Sequence, residues 1–205
     1  DTNMFVPAEQ NDAIKKVLGW HNKRVILTVG RLQERKGQDM LIKALPAIKE
    51  SIPNVLYAII GGGEEKQNLE KLVGTLGLQD HVLFMSEVSD EQMIQAYQQC
   101  DVFVLPNRTV GQDIEGFGMV LVEAQSCAKP VVAGDSGGTK ETMVIGETGF
   151  IVDCTTTTAL TDTLIKLLQA PDTSKIMGDK ARMHAVANLD WKKHKAKAEK
   201  VFLGL

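Results

Sequence analysis

Six short apolar runs, separated by longer amphipathic segments, constrain the fold of this chain more than any other feature of its sequence. Each run is rich in Val and Ile and is apolar at consecutive positions, as expected for parallel strands buried on both faces. The runs are Val25–Val29, Val55–Ile60, Val82–Met85, Val102–Leu105, Val131–Ala133 and Phe150–Val152. The expected helices are Gln38–Glu50, Glu64–Leu76, Asp90–Gln99, Met119–Cys127, Thr139–Ile145 and Thr158–Gln169. This alternation predicts an α/β domain with a doubly wound parallel sheet.

No Pro, Gly or Ser-rich linker interrupts the pattern, so residues 1–205 are interpreted as one domain. The net charge of −3 gives no electrostatic reason to expect nucleic acid as a partner. Cys100, Cys127 and Cys154 are widely spaced without a Cys-x-x-Cys pair, which favours reduced thiols in a cytoplasmic protein. No run approaches the ~20 apolar residues that span a bilayer. The first seven residues lack the basic and apolar regions of a signal peptide.

In a doubly wound sheet, ligands bind beyond the carboxyl ends of the strands, so the loops that follow the apolar runs are the candidates. Gly30 allows a sharp turn after the first run, and Arg31 and Lys36 follow it. A planar guanidinium and an ammonium suit a diphosphate. The alternative is that both cations are simply solvated. After the second run, Gly61 begins a three-glycine turn that allows a backbone to approach a ligand, although a plain tight turn explains it equally well.

The segment from Asp113 to Ala124 is the most informative loop of the chain. Gly116 and Gly118 predict a loop that opens a helix near Met119, whose free N–H groups would bind an anion. Glu123 lies ~7 Å further along that helix. A half-buried carboxylate needs partners, which ribose hydroxyls would supply. Glu115 would face a sugar on the other side of a diphosphate, although either glutamate is also compatible with an ordinary surface position.

A metal site is a weaker interpretation of Asp113 and Glu115, because no His or third carboxylate is near them in sequence. The four histidines have no ligand spacing. We therefore expect no metal and no cofactor. A further glycine loop, Gly134–Gly138, follows the fifth apolar run. Several such loops at one edge of the sheet favour a phosphate-binding cleft over a single chance motif.

Taken in order, these loops resemble those of the retaining, nucleotide-sugar-dependent glycosyltransferases with two facing Rossmann-like domains, the GT-B fold. The matching segments are Gly30-Arg31-Leu32…Lys36-Gly37, Glu115-Gly116-Phe117-Gly118…Glu123-Ala124, Ser136-Gly137-Gly138…Glu141 and Gly146-Glu147-Thr148-Gly149-Phe150. Glu115 and Glu123 match the Glu-x7-Glu motif of that family. The segment Pro106–Gly118 is most similar to the branch of phosphatidylinositol mannosyltransferases, which use GDP-mannose.

The resemblance implies a role for each matching residue. Arg31 and Lys36 would bind the donor diphosphate and stabilise the departing nucleotide, and Glu115 would face the donor hexose; these three are the candidate catalytic residues. Glu123 would bind the ribose hydroxyls, and Val88 would contact the base through its main chain. The remaining candidates for donor binding are Gly30, Gly61, Gly116, Phe117, Gly118, Met119 and Val120.

The resemblance also implies that an N-terminal acceptor domain is absent, so residues 1–205 would be the C-terminal, donor-binding half of a GT-B enzyme. Ala128 stands where the family usually has Gly. The basic segment Trp191–Phe202 is expected to form an amphipathic helix on which Trp191, Ala198, Val201, Phe202 and Leu205 share a face. That face would pack on this domain or the missing one, with peripheral binding to the inner face of the cell membrane as the alternative.

The function expected on these grounds is hexose transfer from a nucleoside-diphosphate sugar, GDP-mannose first and UDP-hexose second, to a lipid or saccharide acceptor. Two alternatives stay open. One is a sugar epimerase or phosphorylase of the same fold, and the other is a non-catalytic module that binds nucleotide sugars.

Overall fold

The computed structural model describes the backbone of residues 1–203 and every side chain in that range except that of Lys197. Its strands are β1 (Arg24–Val29), β2 (Val55–Ile60), β3 (Val82–Met85), β4 (Val102–Leu105), β5 (Val131–Gly134) and β6 (Gly149–Val152). They form one six-stranded sheet in the order β3-β2-β1-β4-β5-β6, and all neighbouring pairs are parallel. The doubly wound α/β fold is therefore confirmed, with each predicted strand within one residue of its observed ends.

Helices cover both faces of this sheet. They are α1 (Asp12–Val17), α2 (Gln38–Ser51), α3 (Lys66–Thr75), α4 (Asp90–Gln99), α5 (Met119–Ser126), α6 (Thr158–Gln169), α7 (Pro171–His184) and α8 (Trp191–Leu203). A short 3-10 helix, Glu34–Lys36, follows β1, and a π-helical turn, Ala185–Leu189, joins α7 to α8. No helix within residues 1–203 combines the length and the apolar content that crossing a membrane requires.

One helix prediction was wrong. The segment Thr139–Ile145 contains no α-helix; a 3-10 helix spans Gly137–Thr142 instead. The Thr139 hydroxyl donates to the Gly134 and Ser136 carbonyls at 2.8 and 3.2 Å, and the Thr142 hydroxyl donates to the Thr139 carbonyl at 2.7 Å. Side-chain bonds of this kind compete with the bonds of an α-helix.

The core has two halves, one on each face of the sheet, because alternate residues of each strand point to opposite faces. Ile26 of β1 packs with the helices α2, α3 and α6, whereas Leu27 packs with α1, α4 and α5. Strands β1, β2, β4 and β5 are almost wholly buried, while the edge strands β3 and β6 are only partly so. This burial explains why the central strands are apolar at consecutive positions.

The strand order reverses between β1 and β4, the two neighbours at the centre of the sheet. The chain leaves β1 through α2 on one face and leaves β4 through α5 on the other. The loops that follow β1 and β4 therefore diverge at the carboxyl edge, which is where open α/β sheets form their ligand crevice.

The two ends of the described chain meet at one corner. Asp190, between the π-helical turn and α8, accepts hydrogen bonds from the Thr2 hydroxyl at 2.7 Å and the Thr2 N–H at 3.1 Å. Arg182 of α7 donates to the carbonyls of Thr2, Phe5 and Ser126 at 2.8, 3.0 and 3.0 Å. The first residues of the chain are thus fastened to the segment that leads into α8.

The basic helix expected at Trp191–Phe202 is present as α8. Its side chains Trp191, Val201 and Phe202 are 64%, 80% and 89% exposed, so this part of the predicted apolar face does not pack on the rest of the chain. Leu205, also assigned to that face, lies outside the described residues.

Candidate functional site

The loops after β1 and β4 touch through their backbones at the carboxyl edge. Gly37, at φ +72°, lies so close to the Pro106 carbonyl that a Cβ would overlap with it. The Arg108 N–H donates to the Arg35 carbonyl at 2.8 Å. This contact brings the side chains after β1 to those after β4, although they are distant in sequence.

An ion cluster lies where these two loops meet. The Glu115 carboxylate oxygen Oε2 accepts a hydrogen bond from Arg35 Nη1 at 2.7 Å and forms an ion pair with Lys36 Nζ at 2.6 Å. Arg35 Nε also contacts Asp113 Oδ1 at 3.1 Å. We call Arg35, Lys36, Asp113 and Glu115 the Glu115 cluster. Its formal charges sum to zero, so any anion that binds Lys36 must compete with Glu115.

The members of the Glu115 cluster differ in their exposure to solvent. The side chains of Lys36 and Glu115 are 11% and 9% exposed, whereas that of Asp113 is 64% exposed. Lys36 is therefore a largely buried cation that shares the charge of Glu115 with Arg35. The charge-assisted hydrogen bond from Arg35 to Glu115 belongs to the stronger kinds of polar contact in proteins.

The loop that carries Glu115 rests on the loop after β5. Gly138 N–H donates to the carbonyls of Glu115 and Gly116 at 3.1 and 3.2 Å. Gly137 lies at φ +64°, and a Cβ on it would overlap with the Glu115 carbonyl. The glycines after β5 thus pack against the backbone that carries Glu115. Their contribution to a phosphate-binding cleft would be to position Glu115.

Arg31 differs from Lys36 in its surroundings. Its side chain is exposed and forms no ion pair within the described part of the chain. Its carbonyl accepts a hydrogen bond from Gln38 Nε2 at 2.9 Å, which fixes the backbone at the start of α2. Arg31 is therefore available to an anion without the loss of an ion pair.

The glycines after β1 and β2 contact each other. The Gly30 N–H donates to the Ile60 carbonyl at 2.9 Å, and a Cβ on Gly61 would overlap with the Gly30 carbonyl. The close approach that Gly61 permits is thus to the neighbouring loop. Val88, after β3, is partly buried and packs against the core.

The helix α5 begins beside the Glu115 cluster. Gly118 precedes it at φ +82°, and Leu121 N–H bonds to the Gly118 carbonyl at 2.9 Å. Gly116 and Met119 are exposed, whereas Phe117 and Val120 are half-buried. The N–H groups of the first residues of α5 have no intrahelical acceptor, as at every helix start, and they lie at the edge where the candidate cations are.

Glu123 lies further along α5 and belongs to a separate contact. Its Oε2 accepts a hydrogen bond from the Tyr97 hydroxyl of α4 at 2.7 Å. Burial raises the pKa of the Glu123 carboxyl, and the Tyr97 hydrogen bond opposes this without cancelling it. Burial and the neighbouring Glu123 charge raise the pKa of Tyr97 well above its ordinary value, so the phenol remains a donor.

A second ion pair braces the same edge. Arg108 binds Asp39 with two nitrogens at 2.6 and 3.3 Å. Burial raises the pKa of Asp39, but the hydrogen bonds from Arg108 and Lys43 outweigh it, so the pKa lies below its ordinary value. This pair fastens the loop after β4 to the first turn of α2.

Three residues of this edge escaped the sequence analysis. Arg35 was passed over because it stands next to Lys36 in a charged run, and nothing in the run shows which cation meets Glu115. Arg108 lies within the segment Pro106–Gly118, but no role was assigned to it. The sequence pattern around Tyr97 is that of an ordinary core aromatic residue. The expectation that Glu123 needs a hydrogen-bond donor could have directed the search to a buried hydroxyl such as that of Tyr97.

No group of three His, Cys, Asp or Glu side chains placed to hold a metal ion occurs among the described residues. The expectation of metal-free donor binding stays a prediction. A cavity of about 540 Å³ lies at the opposite edge, beside Arg24, Asp101 and Pro130, where strands begin. This cavity is therefore remote from the Glu115 cluster.

With this geometry in place, comparison with known proteins identifies the class. Residues 10–184 match the family described as glycosyl transferases group 1, and the chain belongs to this family. Its Rossmann-like α/β fold is that of the GT-B glycosyltransferases, as the sequence analysis expected.

Among its relatives, the chain is 37% identical, over its whole length, to the GDP-mannose-dependent alpha-(1-6)-phosphatidylinositol monomannoside mannosyltransferase of Mycolicibacterium smegmatis, of which it covers 54%. It is also 37% identical to the GDP-mannose-dependent monoacylated alpha-(1-6)-phosphatidylinositol monomannoside mannosyltransferase of Corynebacterium glutamicum. That match covers 93% of this chain and 51% of the relative. The chain therefore spans about half the length of these relatives.

Among solved structures, Anabaena Alr3699/HepE in complex with UDP and glucose matches with a TM-score of 0.88 at 26% identity, over 100% of this chain and 55% of that one. The C-terminal domain of the group 1 glycosyl transferase LpcC from Francisella tularensis matches with a TM-score of 0.82 at 23% identity. The match covers 93% of this chain and 98% of that domain. At that identity, the likeness shows a common fold.

Proposed function

We propose that this chain is the donor-binding domain of a retaining glycosyltransferase. The donor is a nucleoside-diphosphate sugar, GDP-mannose first and a UDP-hexose second, and the acceptor is a lipid or a saccharide. The observation that carries the proposal is the Glu115 cluster beside the start of α5, at the reversal of strand order. Relatives named as GDP-mannose-dependent and a structural neighbour in complex with UDP support it.

In this proposal, Arg31 and Lys36 bind the diphosphate and stabilise the negative charge that grows on it as the glycosidic bond breaks. The backbone of residues 116–120 and the first N–H groups of α5 complete the anion site. Glu115 remains with Arg35 and faces the hexose, while Lys36 turns to the phosphate. Gly30 and Gly61 shape the floor, Glu123 binds the ribose and Val88 contacts the base.

We place the other half of the catalytic cleft on an N-terminal acceptor domain outside residues 1–205. The share of the relatives that the chain covers, about half, supports this placement. The expected location is the cytoplasm, with peripheral contact at the inner face of the cell membrane. The exposed apolar side chains of α8 and its lysines at positions 192, 193, 195 and 200 suit either a second domain or an anionic membrane surface.

Calorimetric titration of the chain with GDP, GDP-mannose, UDP and UDP-glucose, each with and without EDTA, tests the proposal. We expect saturable binding in the micromolar to millimolar range, because one wall of the cleft is present. Binding should be unchanged by EDTA. An absence of binding to every nucleoside diphosphate would reject the site, and a strict need for a divalent ion would reject the metal-free assignment.

Two other functions make different predictions for the two-domain protein. A non-catalytic module would bind the donor and transfer nothing. An epimerase or a phosphorylase would release a sugar-nucleotide isomer or a sugar phosphate. Formation of a glycoside from the nucleotide sugar separates transfer from all of these, and the anomeric configuration of that product, read by NMR, tests retention.

A further inference from the structure

The Tyr97–Glu123 hydrogen bond is the feature of the candidate site that no sequence motif accounts for. Tyr97 is fully buried, and its hydroxyl donates to Glu123 Oε2 at 2.7 Å. The ring lies edge-on to Phe5, with centroids 5.6 Å apart, and tilted against Phe103 at 5.4 Å. Packing on two sides fixes the ring, so the position of the hydroxyl is fixed as well.

A carboxylate held at one oxygen has a defined plane. Within residues 1–203, Glu123 Oε1 has no protein donor, and it is not among the buried polar atoms that lack a partner. This oxygen is therefore open to a ligand, whereas Oε2 is partly engaged. Two adjacent hydroxyl groups are recognised well only by acceptors that keep a fixed direction, because reorienting a mobile side chain lowers affinity.

We propose that Tyr97 is a positioning residue that fixes the Glu123 carboxylate for recognition of the ribose hydroxyls of the donor nucleotide. Tyr97 touches no ligand itself and acts through Glu123. The inference rests on the proposed function, since it assumes that Glu123 meets the ribose. It goes further by assigning the discrimination between ribose and dideoxyribose nucleotides to a contact between α4 and α5.

The test compares a nucleoside diphosphate with its 2′,3′-dideoxy counterpart by calorimetry, using GDP or UDP, whichever the wild type binds more tightly. Tyr97→Phe keeps the ring and removes the hydroxyl. We expect its affinity for the ribonucleotide to fall about three- to tenfold, the size of one hydrogen bond's net effect. Affinity for the dideoxy nucleotide should not change.

Tyr57→Phe is the matched control. Tyr57 is also fully buried, and its hydroxyl bonds to Thr28 of β1 at 3.0 Å, away from Glu123. This variant loses a buried hydroxyl without touching the proposed ribose contact, so the ratio of the two affinities should equal that of the wild type. Circular dichroism and thermal unfolding check that both variants fold.

A double-mutant cycle with Glu123→Ala, which leaves no side-chain acceptor at this position, tests the coupling directly. If Tyr97 acts through Glu123, removing its hydroxyl in the Glu123→Ala background has no further effect on ribonucleotide affinity. An equal loss for both nucleotides in Tyr97→Phe, or a full effect in the Glu123→Ala background, would overturn the positioning role alone. Equal binding of both nucleotides by the wild type would reject the ribose assignment, and with it the inference.

Discussion

Replacing Glu115 by Gln should make the chain less stable and, at the same time, a better binder of diphosphate. Glu115 Oε2 contacts two cations: it forms an ion pair with Lys36 at 2.6 Å and accepts a hydrogen bond from Arg35 at 2.7 Å. Gln has the same shape and keeps an acceptor oxygen, but it carries no charge. Lys36, whose side chain is 11% exposed, then becomes a buried cation without a counter-charge.

The magnitude follows from burial. Breaking a buried pair by removing one partner typically costs about 3–5 kcal/mol. Arg35 keeps Asp113, and the Gln oxygen still accepts a bond, so the expected loss is ~2–3 kcal/mol in the free energy of unfolding. For a chain of this length, that corresponds to a decrease of roughly 5–10 °C in melting temperature.

The assay is differential scanning calorimetry with and without pyrophosphate. Pyrophosphate should raise the melting temperature of Glu115→Gln more than that of the wild type, because the anion meets uncompensated cations and competes with no carboxylate. Asp113→Asn is the control. Its side chain is 64% exposed, so its loss should be within about 1 kcal/mol. A variant that melts like the wild type, or gains no more from pyrophosphate, would refute the reasoning.

Three further variants test other parts of the structure. Arg31→Ala removes an exposed cation, so stability should change by less than ~0.5 kcal/mol. Calorimetry should show UDP affinity falling about tenfold, and an equal loss for uridine would contradict a phosphate role. Ala128, at φ +58°, has a left-handed backbone that costs a non-glycine residue ~1–2 kcal/mol, so Ala128→Gly should gain ~0.5–1 kcal/mol in urea denaturation after the entropy of Gly is counted. A loss would contradict this reading. Hydrogen bonds from Thr2 lower the pKa of Asp190 from 3.8 to about 2. Asp190 therefore stabilises the fold above its unfolded pKa and stops doing so as pH falls through the folded one, so the melting curves of wild type and Asp190→Asn should converge in acid. A difference independent of pH would show that the carboxylate's charge is not the cause.

Burial of strands on both faces made the sheet readable from the sequence. Strands such as Val55–Ile60 are apolar at every position because both faces of the strand pack against the core. An apolar run of only six residues is too short for a typical helix, so it predicts a strand. Helix α7 was not predicted because its buried face consists mainly of small residues, including Ser174, Gly178 and Ala181, which give no apolar periodicity. Local side-chain bonds, which no periodicity reports, turned the predicted helix at Thr139 into a 3-10 turn.

The candidate site was readable only in part. Glycine spacing placed Lys36 and Glu115 at the same edge, and the structure brings them into direct contact. Which further cation contacts Glu115 depends on how the loops after β1 and β4 meet in the folded sheet. The sequence alone therefore could not show that Arg35 is that cation. The Tyr97–Glu123 bond likewise depends on how α4 packs beside α5. The roles assigned to these residues in donor binding stay predictions.

The fastening of Thr2 to Asp190 has a consequence for exchanging domains between relatives. A graft with junctions just outside these two residues transplants the hydroxyl and its carboxylate together, along with the Arg182 clasp on Phe5. If the junctions lay between Thr2 and Asp190 in sequence, these two residues would come from the recipient while the segment between them came from the other relative. Since Thr2 and Asp190 are in contact, the two junctions of the graft lie side by side at one corner of the domain. Chimeras between GDP-sugar and UDP-sugar relatives cut at this corner would show whether donor choice travels with the transplanted segment.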